Sequence, residues 1–162
     1  MIRSWIVLVL LWMLACSTGA RCPVVNAAVP SADGEIARVL DDWHDAASKA
    51  DEARYFDHFA AEGVFLGTDA TERWTVPAFR VYAHPHFAKG AAWSFRATRR
   101  VIAVRGDTAW FDEDLDTPNL GPARGTGVLV REGGAWKIAQ YSLSVPIPND
   151  RFEEVRALIE RP

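Results

Sequence analysis

At Gly90 the hydrophobic pattern of this chain changes period, and no other feature limits the fold as strongly. Before it, apolar side chains recur at the spacing of a helix; after it, β-branched and aromatic residues alternate with polar ones as in a strand. Ile36, Val39, Leu40, Trp43, Ala47 and Ala50 form one apolar helical face, with Ser31 or Asp33 placed to cap it. A second helical stretch buries Phe56, Phe59 and Ala60, leaves Asp51, Arg54, His58 and Glu62 outside, and stops at Gly63. Val64–Leu66 reads as a short first strand. Thr75 and Pro77 then open a third helix whose apolar face is Phe79, Tyr82, Ala83, His86 and Phe87.

Beyond Gly90 four strands are expected, at 93–104, 108–116, 123–131 and 135–145. Arg105-Gly106-Asp107 and Glu132-Gly133-Gly134 are short enough for hairpin turns, so these strands pair antiparallel. Pro146-Ile147-Pro148 ends the sheet. Asn149 or Asp150 is placed to cap a last helix, with Glu153 completing a capping box and Phe152, Val155, Leu158 and Ile159 facing inward. Helices followed by antiparallel strands, without βαβ alternation, indicate an α+β fold. The helices must bury their stripes on one face of a strongly curved sheet, and such a sheet encloses a conical hollow where small molecules bind.

The N-terminus stands apart from this domain. Arg3 precedes a twelve-residue apolar run, Trp5 to Cys16, too short to span a bilayer and suited to an export signal. Met13-Leu14-Ala15-Cys16 resembles the lipobox of bacterial lipoproteins, in which Cys16 would be lipidated; cleavage after Thr18-Gly19-Ala20 or Asn26-Ala27-Ala28 is the other route. Either route takes the protein out of the cytoplasm, into the periplasm, the medium or a lipid anchor at the envelope. Both cysteines, Cys16 and Cys22, lie in or beside residues 1–28, so residues 29–162 have no disulfide, thiol nucleophile or cysteine-bound zinc. That single domain of about 134 residues carries a net charge near −5, which disfavours nucleic acid and anionic lipid as partners.

The order of elements and the strings FLGTDATERW, PHFAKG, AWFDE, RGTGVL and WKIAQYSLSVPIPN resemble the SnoaL-like branch of the nuclear transport factor 2-like (NTF2-like) superfamily, from about Ile36 to Asn149. The resemblance implies a cone with a pocket, often dimeric through its sheet. It does not imply one reaction, because the superfamily includes a ketosteroid isomerase, scytalone dehydratase, polyketide cyclases, limonene epoxide hydrolase and many non-enzymatic domains.

Several residues could carry chemistry. In the loop Gly67–Trp74, expected at the pocket mouth, Asp69 or Glu72 could be a general base and Arg73 an anion clamp. The same residues fit a capped turn in which Asp69 bonds backbone amides and Glu72 pairs with Arg73. Alternation places Ala109, Phe111, Glu113 and Leu115 on one face of a strand, and a carboxylate alone on an apolar face has its pKa raised by burial. Glu113 is therefore the first candidate base; a salt bridge to Arg124 across the sheet fits the same pattern.

Arg124 could instead hold a substrate carboxylate or enolate. Its Arg124-Gly125-Thr126-Gly127 run lacks the following helix of a phosphate loop and reads as a strand with close backbone approach or a bulge. Tyr141 could donate to a developing oxyanion or simply pack. His84 and His86 do not share a helix face and have no third partner at a sensible spacing, so no metal is expected. His86 could face the hollow as an acid or base or be a core histidine, and His44, bordering the first stripe, carries the same two readings. Among the tryptophans, Trp74 and Trp93 are candidate ligand contacts, and such aromatics favour a flat ligand.

The sequence thus leads to an exported domain that binds a small, largely apolar molecule, with no cofactor implied and cofactor-free isomerase, dehydratase or hydrolase chemistry open to it. The alternative is a non-enzymatic homodimer at the envelope, built on the strand face that carries Trp110, Asp112 and Asp114.

Overall fold

The computed structural model describes residues 31–161 apart from Ala91, so the expected export signal and Cys16 lie outside the described residues. Helix α1 (Ala32–Ser48) buries Ile36, Leu40, Trp43 and Ala47, the stripe expected from their spacing, and adds His44 to it. Lys49 and Ala50 end α1, with Ala50 in the left-handed region at φ 54°. Asp51 then caps α2 (Glu52–Asp57) by accepting a hydrogen bond from the Arg54 amide. Arg54 reaches back to both Asp42 and Asp45, tying the two helices together on their wet side.

The second helix is shorter than its pattern suggests. Phe59 and Ala60 already belong to strand β1 (Phe59–Leu66). The register of β1 slips between Phe59 and Val64, so its buried positions do not alternate regularly and mimic a helical stripe. A short hairpin follows, to β2 (Arg73–Thr75), a strand absent from the sequence reading; its loop closes by the Gly67 amide donating to the Glu72 carbonyl at 2.9 Å. Helix α3 (Val76–Phe87) starts with Pro77 in its first turn and buries Phe79, Ala83 and Phe87.

Four long strands complete the sheet: β3 (Arg96–Arg105), β4 (Thr108–Thr117), β5 (Gly121–Glu132) and β6 (Ala135–Ser144). They form an antiparallel meander, and positive φ at Gly106, Gly133 and Gly134 lets two of its turns match the strand twist. The whole sheet has the order β2-β1-β6-β5-β4-β3 and is mixed rather than purely antiparallel, because β1 pairs parallel with β6. Only the crossover through α3 and the meander brings β1 and β6 side by side, and periodicity does not encode that.

Helices α1 to α3 fill the concave face: α1 lies against β3 and β6, and α3 against β1 and β2. Along β4 the residues Ala109, Phe111, Glu113, Leu115 and Thr117 point inward and are buried, as strict alternation requires.

The C-terminal helix departs from expectation. Helix α4 (Phe152–Ile159) follows a 3-10 turn at Asn149–Arg151, has Arg151 at its N-cap and uses no side-chain cap. It packs mainly on that turn, and Phe152, Leu158 and Ile159 are exposed rather than inward-facing. The buried core is built from α1 to α3 and the sheet without any residue of α4, so the amphipathic pattern here is not matched by burial.

Candidate functional site

Two features stand out on the concave side: an aromatic hollow open to solvent, and a buried polar cluster behind it. The hollow has a volume of about 230 Å³. β1 supplies Phe65, β2 supplies Trp74, α3 supplies Phe79 and Tyr82, and the segment leading into β3 supplies Trp93 and Phe95. These rings pack in series: Phe65 stacks on Phe79 with centroids 4.1 Å apart, Trp74 on Tyr82 at 4.4 Å, and Phe79 lies 6.0 Å from Trp93. Leu143 and Leu120 add aliphatic surface, while Thr68, Glu72, Thr117 and Asn119 supply the polar groups. An apolar floor with a few polar atoms is the usual make-up of a small-molecule site.

Behind it, Glu113 is fully buried and receives three partners. His44 Nε2 lies 2.8 Å from Oε1, the Tyr141 hydroxyl donates to Oε1 at 3.2 Å, and Arg100 Nε donates to Oε2 at 2.8 Å. An ionised carboxylate only accepts, so His44 Nε2 carries the proton it donates. Arg100 continues outward to the Ala37 carbonyl at 3.1 Å and Asp41 at 2.8 Å, so the cluster ties α1 to β3, β4 and β6.

Burial works against the Glu113 charge, but His44 and Arg100 outweigh it and hold its carboxyl below the ordinary 4.5. Burial and the Glu113 charge push the Tyr141 hydroxyl well above its ordinary value, so it stays a donor.

The close approach expected at Arg124-Gly125-Thr126-Gly127 is real and serves this cluster. A Cβ at Gly125 would fall 2.2 Å from the Tyr141 hydroxyl and 2.9 Å from Glu113 Oε1; one at Gly127 would meet the Phe111 ring at 2.7 Å. The two glycines leave room on the inner face for the groups opposite.

The candidate residues separate. Trp74 and Trp93 line the hollow, as does Glu72. Asp69 is exposed and accepts from the Thr71 amide at 2.8 Å, which together with the Thr71 hydroxyl lowers its pKa; it is a turn residue outside the lining. Arg73 is exposed and outside the lining, and the expected Glu72–Arg73 pair does not form among the described residues.

Arg124 lies on the outer face, where it approaches Asp114 at 3.7 Å, and so is neither partner of Glu113 nor neighbour of the hollow. His86 is half-buried beside Tyr82 and Trp93 without entering the lining, and exposed His84 sits 2.8 Å from Glu52. Tyr141 is buried against Trp43 and Phe65 and spends its hydroxyl on Glu113.

The raised pKa expected for Glu113 is overturned, because its partners are the Arg100 guanidinium and two further hydrogen-bond donors rather than apolar walls. Sequence reasoning missed one of them, Arg100, and left His44 undecided. Arg100 faces Glu113 directly across the β3–β4 ladder, but a register shift between Ala97 and Arg99 scrambles the alternation that would have marked it as inward. For His44 the signal was present: it stands four residues after Leu40 and one after Trp43, inside the apolar arc of α1.

A family model described as a SnoaL-like domain matches residues 36–148. No curated protein matches the chain. Among solved structures, an NTF2-like protein of unknown function from Pseudomonas putida KT2440 is similar at a TM-score of 0.61 and 16% identity, covering 75% of this chain and 93% of that one. An NTF2-like protein from Cytophaga hutchinsonii is similar at a TM-score of 0.59 and 13% identity, over 72% and 99%. A protein of unknown function with a cystatin-like fold from Nostoc punctiforme is similar at 0.60 and 17%, over 72% and 93%. At these identities the likeness concerns the fold.

Proposed function

The chain belongs to the SnoaL-like domain family, and on that premise we propose that it binds a small, largely apolar organic molecule in its aromatic hollow. One observation carries this reading: a solvent-open space of about 230 Å³ walled by six aromatic rings. The volume suits a body of one or two fused rings, and stacked walls favour a flat one. Acid/base catalysis through Glu113 draws no support from the geometry, since its carboxylate is sealed, satisfied by three donors and absent from the lining.

The neutral flat fluorophore 2-naphthol is expected to bind and to quench tryptophan emission. Trp93→Ala should weaken its binding at least about tenfold, the loss of one stacking wall, while circular dichroism stays that of the parent. Equal affinity in parent and variant would remove the hollow from this role.

A second reading has its own observation. On the outer sheet face Val101 and Trp110 are 51% and 48% exposed, beside the ion pairs Arg99–Asp112 and Arg99–Asp114. We infer that a second copy covers them, giving a homodimer through the sheet. Light scattering should return twice the single-chain mass, and Trp110→Glu the single-chain mass; a single-chain mass for the parent would end this reading.

The basic-then-apolar leader supports export as a further proposal, with the domain either held by a lipid on Cys16 or released. Mass spectrometry of the chain made in a bacterial host should show a new N-terminus at Cys16 or after Ala20 or Ala28. An intact Met1 would count against export.

A further inference from the structure

The hollow contains one charged side chain among its described lining residues, and that side chain is acidic. Glu72 sits half-buried at the rim, and no lysine, arginine or histidine lines the space with it. The carboxylate is held in place: the Asp69 amide donates to Glu72 Oε2 at 3.3 Å, and Gly67 lies directly beneath, where a Cβ would fall 2.0 Å from the same oxygen. Glycine at 67 thus makes the room that the carboxylate occupies. The same lining carries the rings of Trp74, Tyr82, Trp93 and Phe95.

These elements have consistent electrostatics. Aromatic faces carry negative potential and attract a cation within about 6 Å, most strongly for tryptophan. A carboxylate beside them adds a full negative charge in a partly desolvated setting, where Coulomb attraction exceeds its value in water. A ligand anion would be repelled by every one of these groups. A neutral apolar ligand would gain the stacking but would strip water from Glu72 without compensation. A ligand with a positive centre on an apolar body satisfies both walls and rim, the rings through cation–π attraction and Glu72 through charge.

Resting on the reading of the hollow as a ligand site, we propose that its ligand is an organic cation: a small molecule whose ammonium or quaternised nitrogen lies against the tryptophan faces next to Glu72. The rest of the ligand takes the aliphatic surface of Leu143 and Leu120. No bond is made or broken in this step; the recognition is electrostatic and dispersive.

The experiment uses two isosteric probes, phenyltrimethylammonium and tert-butylbenzene, titrated separately against the protein by tryptophan fluorescence at low salt, with 2-naphthol as the neutral reference. The cation is expected to bind at least about tenfold more tightly than its isostere, a margin that salt reduces. Glu72→Gln should erase most of that margin while circular dichroism shows the fold intact. Three results would overturn the proposal: equal or tighter binding of tert-butylbenzene, a margin that survives Glu72→Gln, or no binding of the cation while 2-naphthol still binds. In the first and third the hollow remains a site for neutral ligands, and in the second the preference for a cation comes from groups other than Glu72. Failure of all three probes would overturn the proposal and the ligand-binding reading together.

Discussion

Replacing Glu113 by alanine is expected to destabilise the domain by about 3 to 5 kcal/mol, the cost of breaking a buried ion pair from one side. The loss does not come mainly from the vanished attraction. It comes from leaving Arg100, His44 and the Tyr141 hydroxyl buried without the acceptor they share. Arg100 keeps Asp41 and the Ala37 carbonyl, which places the value toward the lower end.

Glu113→Gln should not rescue the fold fully, because a neutral amide leaves the buried Arg100 guanidinium without its counter-charge, and an NH2 turned toward Arg100 meets a donor. Urea unfolding of the three proteins measures this, and a loss below about 1 kcal/mol for the alanine variant would show that the cluster braces nothing.

The same carboxylate gives the stability a direction in pH. Its pKa is depressed on folding, so its contribution is complete above the ordinary value of 4.5 and disappears as pH falls through the lower folded value. The gap between the parent and Glu113→Ala should therefore close on acidification below 4.5, not on going alkaline.

Gly125→Ala is expected to cost about 1 to 3 kcal/mol, near the upper end, because the added methyl collides with a hydroxyl that has nowhere to go. The Tyr141 ring is held by Trp43 at 4.6 Å and Phe65 at 5.6 Å, so it cannot swing away without unpacking the core. Tyr141→Phe removes the obstructing oxygen and one hydrogen bond, at about 1 kcal/mol. Added to Gly125→Ala it should recover part of the first loss, so the two changes are expected to be less than additive. Strict additivity would place the damage of the methyl somewhere other than at Tyr141.

Much of this was legible where the chain obeys a single period. The alternation of β4 gave the inward face and the burial of Glu113, and the spacing in α1 gave the stripe that covers it. The strand limits from Thr108 onward were readable to within two residues, because glycine-marked turns bound them.

What escaped was long-range. Arg124 is opposite Asp114 in register, one residue from Glu113, and a shift of one residue in a strand sends a side chain to the other face. Arg100 hid behind a bulge, and β1 behind an irregular register. The exposed apolar stripe of α4 shows the converse: periodicity reports what a helix can bury, not whether a surface is free to receive it. In the hollow, Trp74 and Trp93 were candidates by type alone, whereas Phe65 and Phe95 joined them through folding and had no distinguishing mark in the sequence.

The parallel seam between β1 and β6 also orders events during folding. The meander from β3 to β6 closes through short turns and can form early, since each pairing costs little loop entropy. The strand β1 cannot take its place until β6, the last strand of the sheet, exists beside it. The same holds for the α1 contact, where His44 meets Glu113 across 69 residues. During synthesis the N-terminal helices therefore wait with their aromatic stripes uncovered until nearly the whole domain has emerged. The last contacts to form are then those that seal the buried carboxylate and shape the back wall of the hollow.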